Sequence, residues 1–441
     1  MSQLIYVIPL LIATLLTLWF VLEIMMRLYV EKSHQTDFYG SIPRDLILQR
    51  QKQNGVQIVI GPGWFHLGWI ADPQVETYQV EKHMGDSWRK IGKTCFGSFL
   101  CRDSGGHIRV WAVPKKKGSR RLLGEVTVSP GIGSPPLYVP RITGAWKAFF
   151  RPNKSGYYIN DHTIFQDVQG AWRLVGITSQ TDGDFNAEKY FAVGVSPDFP
   201  PDKDMIEADP IADFGEQAWA PCVIQNNDTY HIFWSPYRLH QMTSADGVHW
   251  ENHSITLLTP YHKFFRDPFV LQVAENQWLL YSTARGLYFS QVDIYQSFDL
   301  CEWQYIRTAL KSTWGSERNS PFASTESPSI TQFMGRYYLT VTYNNDSFFW
   351  PGILLLFHKW IHPASYNDTL VFHSENPYDF GIYRGRRTSS TLVTRLEAHA
   401  PEIIHHPQTD RWYITTAGWP WVTKITSGEV AFACLEWIPS T

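Results

Sequence analysis

Three carboxylates occupy equivalent positions of a repeated sequence pattern, each near the expected start of a short strand. These are Asp161, Asp267 and Glu326. Cleavage of a glycosidic bond needs such a set, because one carboxylic acid protonates the leaving oxygen while a carboxylate acts as base or nucleophile opposite it. Crowding of like charges also raises one pKa, so that an acid keeps its proton near neutral pH. The three residues therefore predict an acid–base site, if the fold brings them together.

The elements that must position these residues come from one pattern that recurs five times after about residue 150. In each copy a turn leads into a short apolar strand, and a second turn leads into a strand that carries Trp or Tyr. Equivalent positions lie 47 to 73 residues apart, which suits a four-stranded propeller blade. The pattern predicts an all-β fold, a five-bladed β-propeller, with an array of β-sandwiches as the alternative. The copies are 160–178, 218–235, 265–283, 325–343 and 399–417.

A second element recurs in phase with the first, at 244–250, 296–303 and 373–381. Each copy combines a strand, an Asp or Asn turn and an aromatic residue that returns to the sheet.

In a propeller the innermost strand of each blade begins at the central channel, so acidic residues from different blades meet at one mouth. An acidic residue at a strand start also serves as a simple turn former, but three of them in phase favour a shared site.

Five short motifs resemble those of propeller glycoside hydrolases, both the arabinanase/xylosidase type of family 43 and the invertase/levansucrase type of families 32 and 68. Arg266-Asp267-Pro268 matches the Arg-Asp-Pro motif of the invertase type, and Glu326-Ser327-Pro328 resembles the acid-bearing Glu-x-Pro of both groups. Asn160-Asp161 resembles the first-blade Asp motif. Two further motifs resemble the inner strands of the second and fifth blades of the arabinanase group. They are Trp219-Ala220-Pro221 and His399-Ala400-Pro401-Glu402.

The resemblance covers about residues 145–437 and implies a glycosidase that acts on a furanoside or a related small glycoside. It implies Asp161 as base or nucleophile, Glu326 as general acid, and Asp267 as the residue that orients the substrate or tunes the acid. His162-Thr163 follow Asp161 where invertases have Pro-Asn-Gly, which argues against fructoside chemistry. Features of inverting and retaining groups are both present, so the stereochemical outcome stays open.

Further residues are candidates for substrate binding, and each has a structural alternative. For Trp219 the alternatives are a stacking platform for a sugar ring and plain packing. Arg266 is expected to hold Asp267 ionised or to donate to a sugar hydroxyl. The other candidates line the pocket or make structural hydrogen bonds, and three more tryptophans are candidates for the rim. The binding candidates are Asn160, His162, Trp219, Arg266, His399 and Glu402, and the rim candidates are Trp350, Trp419 and Trp421.

The composition narrows the class of partner. The net charge of −3, from 38 basic and 41 acidic residues, gives no support for a nucleic-acid binder, which normally carries a basic stripe. We expect a carbohydrate or glycoside as the substrate. No redox cofactor is implied, although the resemblance allows a Ca²⁺ ion in the central channel. A rival hypothesis is a carbohydrate-binding propeller module, or a non-hydrolytic biosynthetic enzyme that reuses the acidic pocket.

The amino terminus predicts a membrane anchor. Residues 4–22 are apolar and uncharged, nearly the ~20 residues that a spanning helix needs. A cleaved signal peptide is the alternative, but no basic residue precedes the segment and no small-residue cleavage site follows it. The domains expected are an anchor at 1–23, a linker or stalk at 24–54, a β-rich extension packed on the propeller at 55–150, and the propeller at 151–441.

Two signals disagree about the side of the membrane on which the main domain lies. Basic residues after the anchor favour the cytoplasm by the positive-inside rule. Asn-x-Ser/Thr sequons favour a glycosylated domain, and on balance we expect a single-pass membrane protein with an extracytoplasmic or luminal domain. The basic residues are Arg27, Lys32, Arg44, Arg50 and Lys52, and the sequons begin at Asn153, Asn227, Asn252, Asn345 and Asn367.

The five cysteines show neither metal-ligand spacing nor a Cys-x-x-Cys motif. Cys95 and Cys101 are close enough in sequence for a local disulfide in an oxidising compartment, with free thiols as the alternative. For Cys222, Cys301 and Cys434 we expect small buried thiols.

Overall fold

The structure is a computed structural model that describes most of the chain after residue 43. The described residues are Thr14, Thr17, 44–180, 187–211, 214–236, 238–259, 265–285, 290–312, 324–344, 367–383, 391–419 and 426–440. In these ranges helix α1 (Arg44–Asn54) is followed by 28 strands. The predicted all-β fold is confirmed. Helix α1 covers part of the segment 24–54, which we expected to be a linker or stalk.

Two sheets form the amino-terminal β-rich unit. One contains β1 (Gln57–Gly61), β2 (Trp64–Gly68) and β5 (Ser98–Cys101), and the other contains β3 (Val75–Met84), β4 (Ser87–Thr94), β6 (Gly106–Pro114) and β7 (Arg121–Val128). In the middle of β3 and β6, buried apolar residues alternate with half-buried residues, as expected of a sheet with one more deeply covered face. Their apolar faces share a core with β2.

Five four-stranded units follow, which we number blades 1 to 5 in chain order. The outermost strands of blades 2 and 3 pair in parallel, which joins these two blades in one sheet. Blade 1 contains β9 (Tyr157–Gln166), β10 (Trp172–Gln180), β11 (Tyr190–Ser196) and β12 (Ile206–Ile211). Blade 2 contains β13 (Trp219–Asn226), β14 (Thr229–Ser235), β15 (Leu239–Ser244) and β16 (Glu251–Thr259). Blade 3 contains β17 (Arg266–Ala274), β18 (Gln277–Arg285), β19 (Ser290–Ser297) and β20 (Glu302–Ser312).

The last two blades depart from simple chain order. Blade 4 contains β21 (Ser324–Phe333), β22 (Arg336–Asn344), β23 (Asp368–Ser374) and β25 (Leu392–Glu397), while β24 (Gly381–Tyr383) pairs in parallel with β20 of blade 3. Blade 5 contains β26 (Ile403–His406), β27 (Arg411–Thr416), β28 (Val430–Pro439) and β8 (Tyr138–Phe150). Strand β8 comes from the segment assigned to the extension, so both halves of the chain contribute to blade 5.

Neighbouring blades contact each other through their inner strands, which makes the arrangement propeller-like. Strand β13 packs between β9 and β17, and β17 packs against β21. Blades 4 and 5 are joined by the Ala400 N–H, which donates to Thr342 Oγ1 at 2.8 Å. Blades 5 and 1 are joined by the Gly418 N–H, which donates to the Ile159 carbonyl at 3.0 Å. The inner strands therefore follow one another around a shared channel.

The first repeated pattern corresponds to the two inner strands of each blade, as predicted. Their connecting turns contain left-handed residues such as Asn227 (φ 52°) and Gly335 (φ 78°), which suits tight hairpins. In the second pattern, the side chains of Asp246 and Asp299 accept hydrogen bonds from the next backbone N–H groups. The third copy differs, because the chain after it enters β24 and pairs with blade 3.

The β-rich unit is attached to blade 3 by polar contacts. The Gln296 side-chain amide donates to the carbonyls of Trp69 and Gly97 at 3.2 and 2.8 Å. The Ala71 N–H donates to Gln304 Oε1 at 3.1 Å. These buried hydrogen bonds hold the unit on the third and fourth strands of the blade.

The predictions for the cysteines and for the membrane anchor have different outcomes. All five cysteines are free thiols, and of the three that we expected to be buried only Cys222 is, because Cys301 lies in an exposed turn and Cys434 on an exposed strand position. The predicted anchor, together with Asn345, Trp350 and Trp421, lies outside the described residues except for Thr14 and Thr17, which are helical. In the part of the chain that is described, no helix has the length and apolarity needed to cross a bilayer.

The guanidinium of Arg336 in blade 4 binds the segment that enters β8, so we expect its replacement to destabilise the fold. It donates to the carbonyls of Pro135 and Pro136 at 2.6 and 3.3 Å and contacts His373. Arg336→Gln should lower the free energy of unfolding by about 2–4 kcal/mol, since the buried Pro135 carbonyl loses a charged donor. Thermal unfolding followed by circular dichroism measures this. Arg141→Gln, at an exposed position of β8, is the control, and equal melting temperatures for both variants would contradict the assignment.

Candidate active site

One cavity, open to solvent, is lined by a short segment from each of the five blades. The segments lie near the beginning of the inner strand of each blade. Residues that are far apart in sequence therefore meet at one end of the channel. The segments are Asp161–His162, Ala220–Cys222, Asp267–Phe269, Ser327–Ser329 and Ala400–Glu402.

The same backbone distortion shapes four of these five segments. The residue before proline has a positive φ in each of them: Ala220 (49°), Asp267 (54°), Ser327 (48°) and Ala400 (42°). Left-handed backbone is uncommon outside glycine and costs roughly 1–2 kcal/mol, and proline further restricts the residue before it. In β13, β17 and β21 the strand register shifts at this point. Such bulges re-aim side chains, and here they lie at the cavity wall.

A chain of polar contacts joins the carboxylates of blades 1, 3 and 4. Arg266 Nη2 lies 2.5 Å from Glu326 Oε1, and its Nε lies 3.6 Å from Asp267 Oδ2. The Ser327 N–H donates to Asp267 Oδ2 at 3.1 Å, while the Ser327 hydroxyl donates to Asp161 Oδ1. The predicted acidic triad is therefore assembled, and Arg266 contacts two of its members.

Burial raises the pKa values of several carboxyl groups around the cavity. Burial raises the pKa of Asp161, as does the Glu326 charge, against the Ser327 hydrogen bond and Arg266. The pKa of Asp267 is raised to about 6, because burial outweighs the attraction of Arg266 and the neighbouring carboxylates add repulsion. The pKa of Glu402 is raised to about 8 by burial and by the charge of Asp161. The site can thus retain protons at neutral pH, as general acid catalysis requires.

The two candidate histidines are neutral parts of the wall. His162 Nε2 lies 2.8 Å from Thr415 Oγ1, and His399 Nδ1 lies 2.8 Å from the Ala417 carbonyl. Burial lowers the pKa of His162 to about 3 and that of His399 to about 4. Both are bonded to blade 5. Asn160 is buried beside them, and its Oδ1 finds no hydrogen-bond partner in the described part of the chain.

Two residues of the site were not predicted from sequence. Ser327 lies inside the Glu-x-Pro motif, at a position that the motif leaves open. Glu188 lies between β10 and β11 outside the repeat, so no pattern in the sequence pointed to it. Its carboxyl is buried, its pKa is raised to about 7 by burial, and the charge of Asp161 contributes to that rise. Among the predicted residues, Trp219 is a neighbour of Glu188, and its indole lowers the pKa of that carboxyl group.

The described residues do not fit the Ca²⁺ ion that the resemblance allows. Among them, no group of three or more His, Cys, Asp or Glu side chains could hold a metal ion. The acidic side chains of the site are bonded to Arg266, Ser327 and backbone N–H groups instead. No catalytic step is therefore assigned to a metal.

No family model and no curated protein matches the sequence. Solved structures that the chain resembles include a thermostable family-43 glycoside hydrolase, at 15% identity over 66% of this chain and 96% of the other (TM-score 0.47). Another is the family-32 β-fructofuranosidase of Bombyx mori, at 14% identity over 63% and 61% (TM-score 0.44). A third is the α-L-arabinanase of Penicillium chrysogenum, at 12% identity over 68% and 98% (TM-score 0.44). The predicted resemblance to glycoside hydrolases of families 43 and 32 is confirmed.

The raised pKa of Glu402 predicts how stability depends on pH. With a pKa near 8 in the folded chain and about 4.3 unfolded, the folded state binds the proton more tightly between these values, so this stability falls as pH rises. Glu402→Gln should therefore raise the melting temperature at pH 8 by several degrees and change it little at pH 4.5. Differential scanning fluorimetry measures both. The exposed Glu397→Gln is the control. An equal effect of Glu402→Gln at both pH values would exclude a raised pKa.

Proposed function

We propose that the chain is a five-bladed β-propeller glycosidase that hydrolyses a furanoside or a related small glycoside. The observation that carries this proposal is the meeting of Asp161, Asp267 and Glu326 from three blades, linked by Arg266 and Ser327 beside one cavity. A sugar-binding module needs hydroxyl donors and aromatic faces, but it has no use for several buried acids with raised pKa values. Acid–base cleavage of a glycoside needs such acids.

In this proposal Asp161 acts as base or nucleophile. It lines the cavity, and the Ser327 hydroxyl orients one of its oxygens. That hydrogen bond favours the ionised carboxylate, which is the form that attacks the anomeric carbon or activates a water molecule. The other oxygen is the one proposed to perform this step.

Glu326 acts as general acid, and its ion pair with Arg266 constrains this role. A guanidinium at 2.5 Å favours the charged carboxylate, whereas the acid must deliver a proton to the leaving oxygen. We propose that substrate hydroxyls draw Arg266 away, which lets Glu326 take a proton. Asp267 and Glu402, with pKa values raised to about 6 and about 8, keep protons near by at neutral pH. Asp267 also holds the Ser327 backbone in place.

Turnover tests the proposal directly. The full-length protein is assayed with 4-nitrophenyl α-L-arabinofuranoside, β-D-xyloside and β-D-galactofuranoside, and with sucrose. The wild type should release sugar from at least one of these. Glu326→Gln and Asp161→Asn should each lower kcat by about 10²–10⁴-fold, because each removes a proton-transfer or nucleophilic group.

Exposed acids supply the matched controls. Glu275→Gln and Asp410→Asn make the same chemical changes at surface turns and should leave kcat unchanged. If the wild type turns over none of the substrates, or if the two site variants match these controls, the assignment is wrong. With an active enzyme, ¹H NMR of the first product identifies the anomer and decides between inversion and retention.

A further inference from the structure

Glu188 is a buried carboxyl group that the mechanism above does not use. It lies in blade 1, and the adjoining segments of blades 2 and 5 hold its surroundings in place. The Ala218 N–H donates to the Glu188 carbonyl at 2.8 Å, next to Trp219, and the Gly418 N–H donates to Ile159 at 3.0 Å, next to Trp419. The backbone at Glu188 is therefore bonded to the segment that enters blade 2, since the Lys189 carbonyl also accepts a hydrogen bond, from the Phe214 N–H at 3.0 Å.

The contacts of the carboxyl group are uneven. The Tyr158 hydroxyl and the Trp419 Nε1–H both donate to Oε1, at 2.5 and 3.3 Å. Trp219 lies on the same side of the site and its indole lowers the pKa of Glu188. Its Nε1, however, is buried and makes no hydrogen bond of good geometry in the described part of the chain. A carboxylate can accept about four hydrogen bonds, so this group has acceptor capacity that its described donors do not use.

The neighbours of Glu188 suit a sugar. Trp219 and Trp419 are both partly exposed, and an indole presents an apolar face that can pack on the C–H face of a sugar ring. The ring of Trp419 also lies 6.0 Å from that of His399 in the cavity wall. Asp161 is the charged neighbour, since its carboxylate repels that of Glu188. A carboxyl acceptor and two indoles thus lie together, with Asp161 of the cavity as the charged neighbour.

We propose that Glu188 is a substrate-binding residue whose carboxylate accepts a hydrogen bond from a hydroxyl group of the sugar placed beside Asp161, with Trp219 and Trp419 flanking that sugar. Tyr158 holds the carboxylate from beneath. This inference rests on the proposed function for its ligand class, a neutral sugar with free hydroxyl groups. It adds a residue that selects and positions the substrate.

The position of Glu188 also makes binding depend on pH in a predictable direction. An ionised carboxylate accepts a stronger hydrogen bond than the neutral acid, and the pKa of Glu188 is raised to about 7. Sugar affinity should therefore rise as pH increases through this value. The groups that face Glu188 are Tyr158 and Asp161 from β9, Trp219 from blade 2 and Trp419 from blade 5, and His399 behind Trp419 stays neutral in this range.

The test is binding of L-arabinose and D-xylose to the full-length protein, followed by intrinsic tryptophan fluorescence between pH 5 and pH 8.5. Wild-type affinity for the preferred sugar should rise with pH. Glu188→Gln should bind about 10- to 100-fold more weakly than the wild type at pH 8.5, the loss expected for one charged hydrogen bond. Its affinity should also rise less with pH than that of the wild type, and the change that remains is the one due to Asp267 and Glu402, whose pKa values of about 6 and about 8 lie in the same range. At pH 5 the two proteins should differ only a few-fold.

Tyr158→Phe is a second test variant. Its expected effect on the pH dependence of binding would not follow from a purely structural role of Glu188. It removes a hydrogen bond that lowers the pKa of Glu188, so the rise in affinity should shift to higher pH while the affinity reached there matches the wild type. It also serves as the test if Glu188→Gln does not fold, which the melting temperature of each variant shows.

The outcomes separate this inference from the proposed function. Sugar binding with the predicted pH dependence but without turnover supports the inference and overturns hydrolysis. Turnover that depends on Glu326, together with unchanged binding in Glu188→Gln at pH 8.5, overturns the inference alone. A wild type that binds neither sugar overturns the inference as well.

Discussion

The structure of the site depends on one constraint, the negative charge that the inner strands bury around Arg266. Asp161, Asp267 and Glu326 come from three blades, and the guanidinium contacts the last two. One cation cannot neutralise three carboxylates, and burial penalises every charged group. The pKa values of Asp161, Asp267 and Glu402 are therefore all raised, chiefly by burial and to a smaller extent by the repulsion between the carboxylates. The buried charge that destabilises the fold at high pH thus leaves acids that keep protons at neutral pH, as the proposed function requires.

The blades meet this constraint with one local device used repeatedly. A left-handed residue precedes proline in four blades and bulges the inner strand of three of them, and the strain is offset by contacts between neighbouring blades. The Asp267 N–H binds Ser235 of blade 2, the Ser327 N–H binds Asp267, and the Ala400 N–H binds Thr342 of blade 4. Three of the four left-handed residues are thus bonded to the blade before them. The backbone distortion and the site are consequences of the same packing.

Much of this could be predicted from sequence, because the relevant signals are local. Alternating apolar residues and turn residues located the inner hairpins, and the strand starts of the repeat located Asp161, Asp267 and Glu326. Contacts between distant segments left no such signal. The parallel pairing of β24 with β20 and the position of Glu188 depend on how whole blades pack. The exposure of Cys301 and Cys434 was also missed, because the sequence around a cysteine does not show whether its side chain lies in the core or at the surface.

The most direct test of the central claim is the leaving-group dependence of Glu326→Gln. Its kcat is measured against aryl glycosides of one accepted sugar, from 2,4-dinitrophenol, which leaves readily, to unsubstituted phenol, which needs a proton. Glu402→Gln is measured in parallel, since Glu402 is the other group that holds a proton near the cavity. The account predicts that Glu326→Gln loses little activity with the dinitrophenyl glycoside and increasingly more as the leaving group becomes more basic, with no such trend in Glu402→Gln. A uniform loss across the series, or the trend in Glu402→Gln instead, would contradict the role of Glu326 as the acid.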